Sequence, residues 1–270
     1  MHKRIRLNAA ALAGLLIILF FLIIAVFAPV IAPYDPKEMI ASYLPPSREH
    51  ILGTNDVGQD IFSEMVYGTR VSLYIGIFAA FIVTGVGTVL ALVSGYFGGV
   101  TDKIITAITN IAMAVPSLPL TVLLVAYLNP GKWSLIIAIS VTAWTGTARI
   151  LLSRVMQLKE LPFIKIEKTM GVHPVVILFK HILPNIKDII LTRGAMAISG
   201  AMMTEAGLSF LGLGEFGEKS WGSVLHYAFF RNSIMKKQYW WYMPPIICIC
   251  VCVFGFMLIG YYGKIKKGGE

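Results

Sequence analysis

Six stretches of this chain, residues 9–31, 71–96, 104–128, 133–152, 188–213 and 243–263, are long and largely apolar. A helix needs about 20 such residues to cross a bilayer. Lipid offers the backbone no hydrogen-bond partners, so a spanning segment must satisfy its own N–H and C=O groups, as a helix does. The expected fold is therefore all-α: a polytopic membrane protein with about six transmembrane helices. Composition agrees, since only 14% of residues are charged where soluble domains carry about a quarter. The third stretch contains Pro116 and Pro119, each lacking a helical N–H, and should kink there. The fifth holds Arg193 and Glu205 among small residues (Gly194, Ala195, Ala197, Ser199, Gly200, Ala201). Small residues permit close helix approach, which places this helix inside a bundle.

The N-terminus has a basic start (Lys3, Arg4, Arg6) and an apolar run from Ala9 to Val30. That run is longer than the apolar region of a signal peptide, and Pro29 and Pro33 sit where cleavage would occur, so a retained membrane helix is expected. With the N-terminus in the cytoplasm, 14 of the 23 Lys and Arg residues fall on the cytoplasmic side and eight outside, with Arg193 within a span. Basic residues favour cytoplasmic loops, so both termini are expected inside. The net charge of +9 is dispersed rather than gathered in a stripe, which argues for membrane orientation and against nucleic acid. Two external segments, 32–70 and 214–242, are long. The first, with Pro45-Pro46 and LGTNDVGQD, reads as an ordered loop leading into the second span. In the other, Trp240, Trp241 and Tyr242 are aromatic residues of the kind that mark a membrane boundary.

Several chemistries have no sequence support. No G-x-x-x-x-G-K-[ST], H-E-x-x-H, G-x-S-x-G or C-x-x-C pattern occurs, which argues against a P-loop or a familiar catalytic set. Cys248, Cys250 and Cys252 share one apolar run and read as small apolar filler rather than a metal or disulfide site. Arg193 and Glu205 would lie about 18 Å apart along one helix, too far to pair. Arg193 can snorkel toward the boundary. Glu205 admits two readings: a group facing a cavity on the path, or a structural hydrogen bond in a polar patch with Thr204 and Ser209. Asp56, Asp60 and Glu64 are spaced by four, as on one helical face, but no further ligand completes a metal shell.

The most polar insertion is FIKIEKTMGVHPVVILFKHILPN, residues 163–185. Its spacing predicts two short helices meeting at Gly171, the second closed by Leu183-Pro184-Asn185. A helix pair on the cytoplasmic side could dock in a partner's groove through apolar anchors such as Met170, Val172, Val176 and Phe179. It could also lie on lipid headgroups.

Four blocks in order resemble the permease subunits of prokaryotic ATP-binding-cassette importers, in the branch carrying peptides and nickel. They are LGTNDVGQDIFSEMVYGTRVSL (52–73), SGYFGGVTDK (94–103), the 163–185 stretch, similar to the "EAA" loop of such importers, and EAGLSFLGLG (205–214) followed by Trp221-Gly222. The likeness covers nearly the whole chain after residue 50. There are departures. The loop's Glu position is Lys165, its two Ala positions are Ile166 and Glu167, the third span has Ala107 and Asn110 where the branch has Arg and Asp, and Gln59 replaces the arginine of a Gly-Arg-Asp triplet.

The resemblance implies a subunit without bond chemistry, located in the inner or plasma membrane of a prokaryote. Residues 1–50 would supply a first helix and the start of an external loop. Residues 51–270 would form the permease domain, with a coupling loop at about 159–187. The partners implied are a second homologous permease, two cytoplasmic ATPase subunits carrying the ATP and Mg that this chain lacks, an extracytoplasmic solute-binding protein and membrane lipid. The coupling residues implied are Lys165, Glu167, Met170, Gly171, Val172, Val176, Phe179, His181, Leu183, Pro184 and Asn185. Glu205, Pro116 and Asn110 are the candidate path residues. The cargo would be di- or oligopeptides, with nickel or a metal chelate as the alternative. An ion-coupled secondary transporter would instead show internal repeats and paired intramembrane charges, and a membrane scaffold would have no use for the 163–185 punctuation.

Overall fold

The computed structural model describes residues 8–129, 131–215 and 217–263. The basic residues at both termini that enter the orientation count, Lys3, Arg4 and Arg6 at one end and Lys264, Lys266 and Lys267 at the other, lie outside the described residues. Among the described residues the structure is helical, with one isolated β-bridge between Thr54 and Asp60. Helix α1 (Ala9–Val26) is followed by the single turn α2 (Ala28–Ile31) and an ordered loop. Helix α3 (Ile61–Phe97) comes next. Its 37 residues make about 55 Å of helix, against a hydrocarbon core of about 30 Å. The residues just before 71, expected to lead into the second span, are thus the first turns of this helix. Asp60 starts it: its Oδ2 accepts from the Ser63 backbone N–H at 2.8 Å, which satisfies one of the free donors of a helix N-terminus.

The third expected span is two helices, α4 (Gly99–Ala114) and α5 (Ser117–Leu128), bent by 88° at the break. The prolines therefore break the helix rather than kink it. Pro116 is the N-cap of α5 in an extended conformation, and Pro119 falls within the first turn, where a missing N–H costs nothing. Helix α6 (Lys132–Lys159) follows, then the short α7 (Pro162–Thr169). A turn at Gly171 leads to α8 (Pro174–Val176), which runs through a π-helical segment, Ile177–Ile182, directly into α9 (Leu183–Leu208). A second π-helical segment, Ser209–Leu213, ends that run. Helices α10 (Trp221–Phe230) and α11 (Tyr239–Tyr262) are the last of the described residues' helices.

Among the described residues four helices, α1, α3, α6 and α11, are long and apolar enough to cross a membrane unaided, and counting the bent α4–α5 pair as one span makes five. The sixth expected span, on α9, fails that test because it carries Lys187, Asp188, Arg193 and Glu205. It is nonetheless packed inside the bundle, between α3 and α11. Small residues make this possible. Gly260 of α11 meets Met196 and the Thr192 carbonyl, and the Ser199 hydroxyl donates to the Val253 carbonyl at 3.2 Å. Helix α3 is the central element, packed along both α6 and α9. By contrast α4 buries only Thr109 and leaves Ile104, Ile108 and Ile111 exposed at the edge of the bundle.

Two sequence expectations change in the 214–242 segment. Residues 221–230 form a helix rather than a loop. A capping box starts it, in which the Ser220 and Ser223 side chains each bond the other's backbone N–H. Trp221 is fully buried, with its ring N–H donating to the Met65 carbonyl at 3.1 Å. Gly222 is needed beside it, since a Cβ there would come within 2.5 Å of the Ala206 carbonyl oxygen. Trp241, expected at the membrane boundary, is 1% exposed and packs against Tyr43 of the first long loop. The boundary role is left to its half-buried neighbours Trp240 and Tyr242.

Candidate functional site

At one end of the bundle, residues 159–187 form a hairpin of two arms. The first arm is α7, started by Pro162 in its first turn. Ile164 points inward and is 2% exposed, packed in a core with Leu151, Val155, Leu158, Ile177 and Ile182. The turn uses Gly171 at φ +76, a left-handed conformation that costs glycine no Cβ clash. His173 then caps the second arm, its Nδ1 accepting from the Val175 N–H at 3.3 Å. The arms are clasped by His181 Nε2 and Glu167 Oε1 at 2.8 Å, with the Phe163 and His181 rings edge to face at 6.1 Å. Lys165 Nζ meets Glu160 Oε2 at 2.8 Å, and this hydrogen bond holds the exposed Glu160 carboxyl below its ordinary pKa.

The second arm is not the separate short helix that the sequence suggested. Leu183-Pro184-Asn185 do not end it; the helix continues into α9. The physical reason is the π-helical register just before Pro184. A wider turn leaves room for the ring and removes the demand for an N–H at that position. The Asn185 side chain donates to the His181 carbonyl at 2.6 Å, supporting the widened turn. The second arm of the hairpin is therefore continuous with a helix that runs into the bundle.

The hairpin exposes a set of apolar side chains among exposed lysines. Met170 (77%), Phe179 (63%), Ile166 (58%) and Val175 (51%) are exposed, and so are Val176 and Phe163. Of the anchors expected from sequence, Met170, Val176 and Phe179 lie on this surface. Val172 does not; it is half-buried against the inner core, as is Leu183. Ile166, Phe163 and Val175 belong to the surface but were not singled out by the sequence reading. A period of three to four around Met170 was the available signal.

The candidate path residues are not brought together. Glu205 is 0% exposed. Its Oε2 accepts from the Ser72 hydroxyl at 3.1 Å and its Oε1 from the Ser209 hydroxyl at 2.7 Å, while Ser72 accepts from the Trp221 N–H. Thr204, expected beside it, bonds the Gly200 carbonyl instead. Asn110 lies 3.5 Å from Arg149 Nη2 at a cavity of about 110 Å³ between α3, α4 and α6. Pro116 is exposed at the α4–α5 bend. The Ser94 hydroxyl donates to Asp102 Oδ1 at 2.5 Å, tying α3 to α4 within the 94–103 block.

At the opposite end the three carboxylates spaced by four do not share a face. Asp60 bonds His50 Nδ1 at 3.0 Å, Asp56 pairs with Arg231 at 2.7 Å, and Glu64 is held by Lys219 and by Asn55 at 2.9 Å. Asp56 and Asp60 precede the helix start at Ile61, so helical spacing does not apply to them. Gln59, standing where the sequence reading expected an arginine, also accepts from Lys219 Nζ, at 2.7 Å. A cleft of about 960 Å³ opens here, bounded by residues of α3, α10 and both long loops. On its wall burial pushes the Glu215 carboxyl up, against the pull of Lys132.

The described residues thus form a helical membrane bundle with a structured hairpin at one end and a polar cleft at the other. The chain belongs to the family of binding-protein-dependent transport system inner membrane components, whose model matches residues 87–264. Residues 1–46 match the N-terminal transmembrane domain of oligopeptide transport permease C. It is 37% identical to the oligopeptide transport system permease protein OppC of Bacillus subtilis (strain 168), over 95% of this chain and 84% of that one. It is 33% identical to the dipeptide transport system permease protein DppC of the same organism, over 96% and 81%. Among solved structures, an inward-facing conformation of the MetNI methionine ABC transporter shares the fold, with TM-score 0.60 and 17% identity over 74% of this chain and 94% of that one. The chain is thus a multi-pass membrane permease subunit, a transport component rather than an enzyme.

Proposed function

We propose that this chain forms half of the translocation path of an ATP-driven peptide importer, and that the 159–187 hairpin is where a cytoplasmic ATPase subunit grips it. The observation that carries this reading is the two-sided hairpin. One side is locked into the bundle through Ile164, Ile177 and Ile182, while the other presents Met170, Phe179, Ile166 and Val176 to solvent. Apolar anchors on a short helical element fit a groove on a partner, with Lys165, Lys168 and Lys180 as a polar rim. The peptide cargo is supported by relatives named for oligopeptide and dipeptide transport. The other subunits would be a second permease, two ATPases binding ATP and Mg, and an extracytoplasmic binding protein. Both termini and the hairpin would be cytoplasmic. ATP-driven closure of the ATPases would move the hairpin, and α9 would pass that movement to α3 and α11 as the permease halves rock between inward and outward states.

The test is co-purification of the tagged chain in mild detergent, comparing wild type with Met170→Asp/Phe179→Asp. Both side chains are exposed, so folding is retained. The wild type brings down an ATPase and a second permease. The double variant keeps the permease and loses most of the ATPase. Equal ATPase recovery from both would remove the hairpin from its assigned role, and a wild type that emerged alone would remove the importer reading itself.

A further inference from the structure

The 960 Å³ cleft at the end opposite the hairpin has an uneven charge pattern. Its acidic groups are mostly matched. Glu64 is paired with Lys219, Asp56 with Arg231, and Glu215 and Glu218 both with Lys132. Asp35 and Lys37, close together on the loop after α2, balance each other in sign. Arg70 remains. Among the described residues it makes no ion pair, although carboxylates line the same cleft. It is exposed, and it stands on α3 between Tyr67 and Tyr74, one helical turn to either side and also on the cleft wall. Helical neighbours three and four apart share a face, so Arg70 and the two phenol rings form one surface along the cleft.

A guanidinium without an ion-pair partner, flanked along its helix by two tyrosines in a concave site, is suited to a planar anion. It offers a fork of N–H donors that matches a carboxylate with two parallel hydrogen bonds, while the rings take the adjoining apolar groups. The volume falls in the range of pockets that hold small ligands. We propose that Arg70 recognises the free carboxylate of a short peptide entering this cleft. This rests on the peptide-importer reading and extends it to a named residue. The salt-bridged rim contributes shape, and Arg70 contributes the charge that separates a free acid from its neutral amide.

The complex that co-purifies with this chain is placed in lipid nanodiscs without any binding protein, and equilibrium binding of radiolabelled Ala-Ala and Ala-Ala amide is measured. Wild type binds the free acid saturably and prefers it to the amide by about tenfold or more, the size expected of a charge-assisted hydrogen bond. Arg70→Gln binds both equally, and Arg70→Lys keeps part of the preference, which excludes misfolding. Two results would overturn the proposal. They are no saturable binding by wild type, or an undiminished preference in Arg70→Gln. Failure of the importer reading is separate, because it shows as loss of the ATPase during purification, before any peptide is added.

Discussion

Glu205 shows how a carboxylate is kept fully buried within this helix bundle. Both oxygens accept hydroxyl hydrogen bonds, from Ser72 of α3 and from Ser209, and Ser72 in turn accepts from the Trp221 backbone of α10. Three helices therefore meet on one side chain. Removing it would leave two buried hydroxyls without an acceptor and a void where the side chain stood. Glu205→Ala should lower unfolding stability by about 2–4 kcal/mol, combining lost hydrogen bonds and a cavity. Glu205→Gln, which keeps the shape and one acceptor oxygen, should cost clearly less. Thermal unfolding of both variants in one detergent measures the difference. A role confined to solute passage would leave both unfolding midpoints at the wild-type value while lowering transport.

The hairpin is the element where sequence and structure are most usefully compared. Its position, its Gly171 turn and three of its exposed apolar residues, Met170, Val176 and Phe179, are legible, because glycine at positive φ and an apolar period near 3.6 leave direct traces in sequence. The run from Pro174 through Leu208 was not, because a proline inside a helix reads as a stop unless a π-turn is known to precede it. Helix α10 was missed for another reason. Its start depends on Ser220-x-x-Ser223, a weaker form of the usual capping signature, and its aromatic residues read equally well as a boundary belt. The carboxylates at 56, 60 and 64 were grouped by spacing alone, but their partners Arg231 and Lys219 lie more than 150 residues away in sequence, beyond local periodicity. Within the hairpin, Glu167 and His181 join the two arms but keep about a quarter of their side-chain surface exposed. Such a pair is worth little in water. A double-mutant cycle with Glu167→Gln and His181→Gln should give a coupling energy below about 1 kcal/mol. The buried Ile164 and Ile177, rather than this pair, hold the arms together, and a coupling well above that limit would reverse the assignment.

Taken as a whole, the molecule is polarised along its long axis. One end carries the apolar hairpin, and the other carries an ordered shell made by the loop before α3, the first turns of α3, α10 and the segment around Lys219. The two are connected by α3 and α9, which run beside each other through the bundle. This arrangement is useful to a transporter only if the hairpin faces the ATP-containing compartment and the cleft faces the supply of solute, so orientation is the global property to measure. In a background with Cys248→Ala, Cys250→Ala and Cys252→Ala, single cysteines can be placed at Lys168 on α7 and at Met235, which is 84% exposed after α10. A charged maleimide added to right-side-out vesicles should label Met235→Cys at once and Lys168→Cys only after the membrane is opened. The excess of Lys and Arg on the hairpin side predicts the same order. The reverse pattern would place the hairpin outside, away from any ATPase, and would separate the shared fold from the coupling role assigned to it.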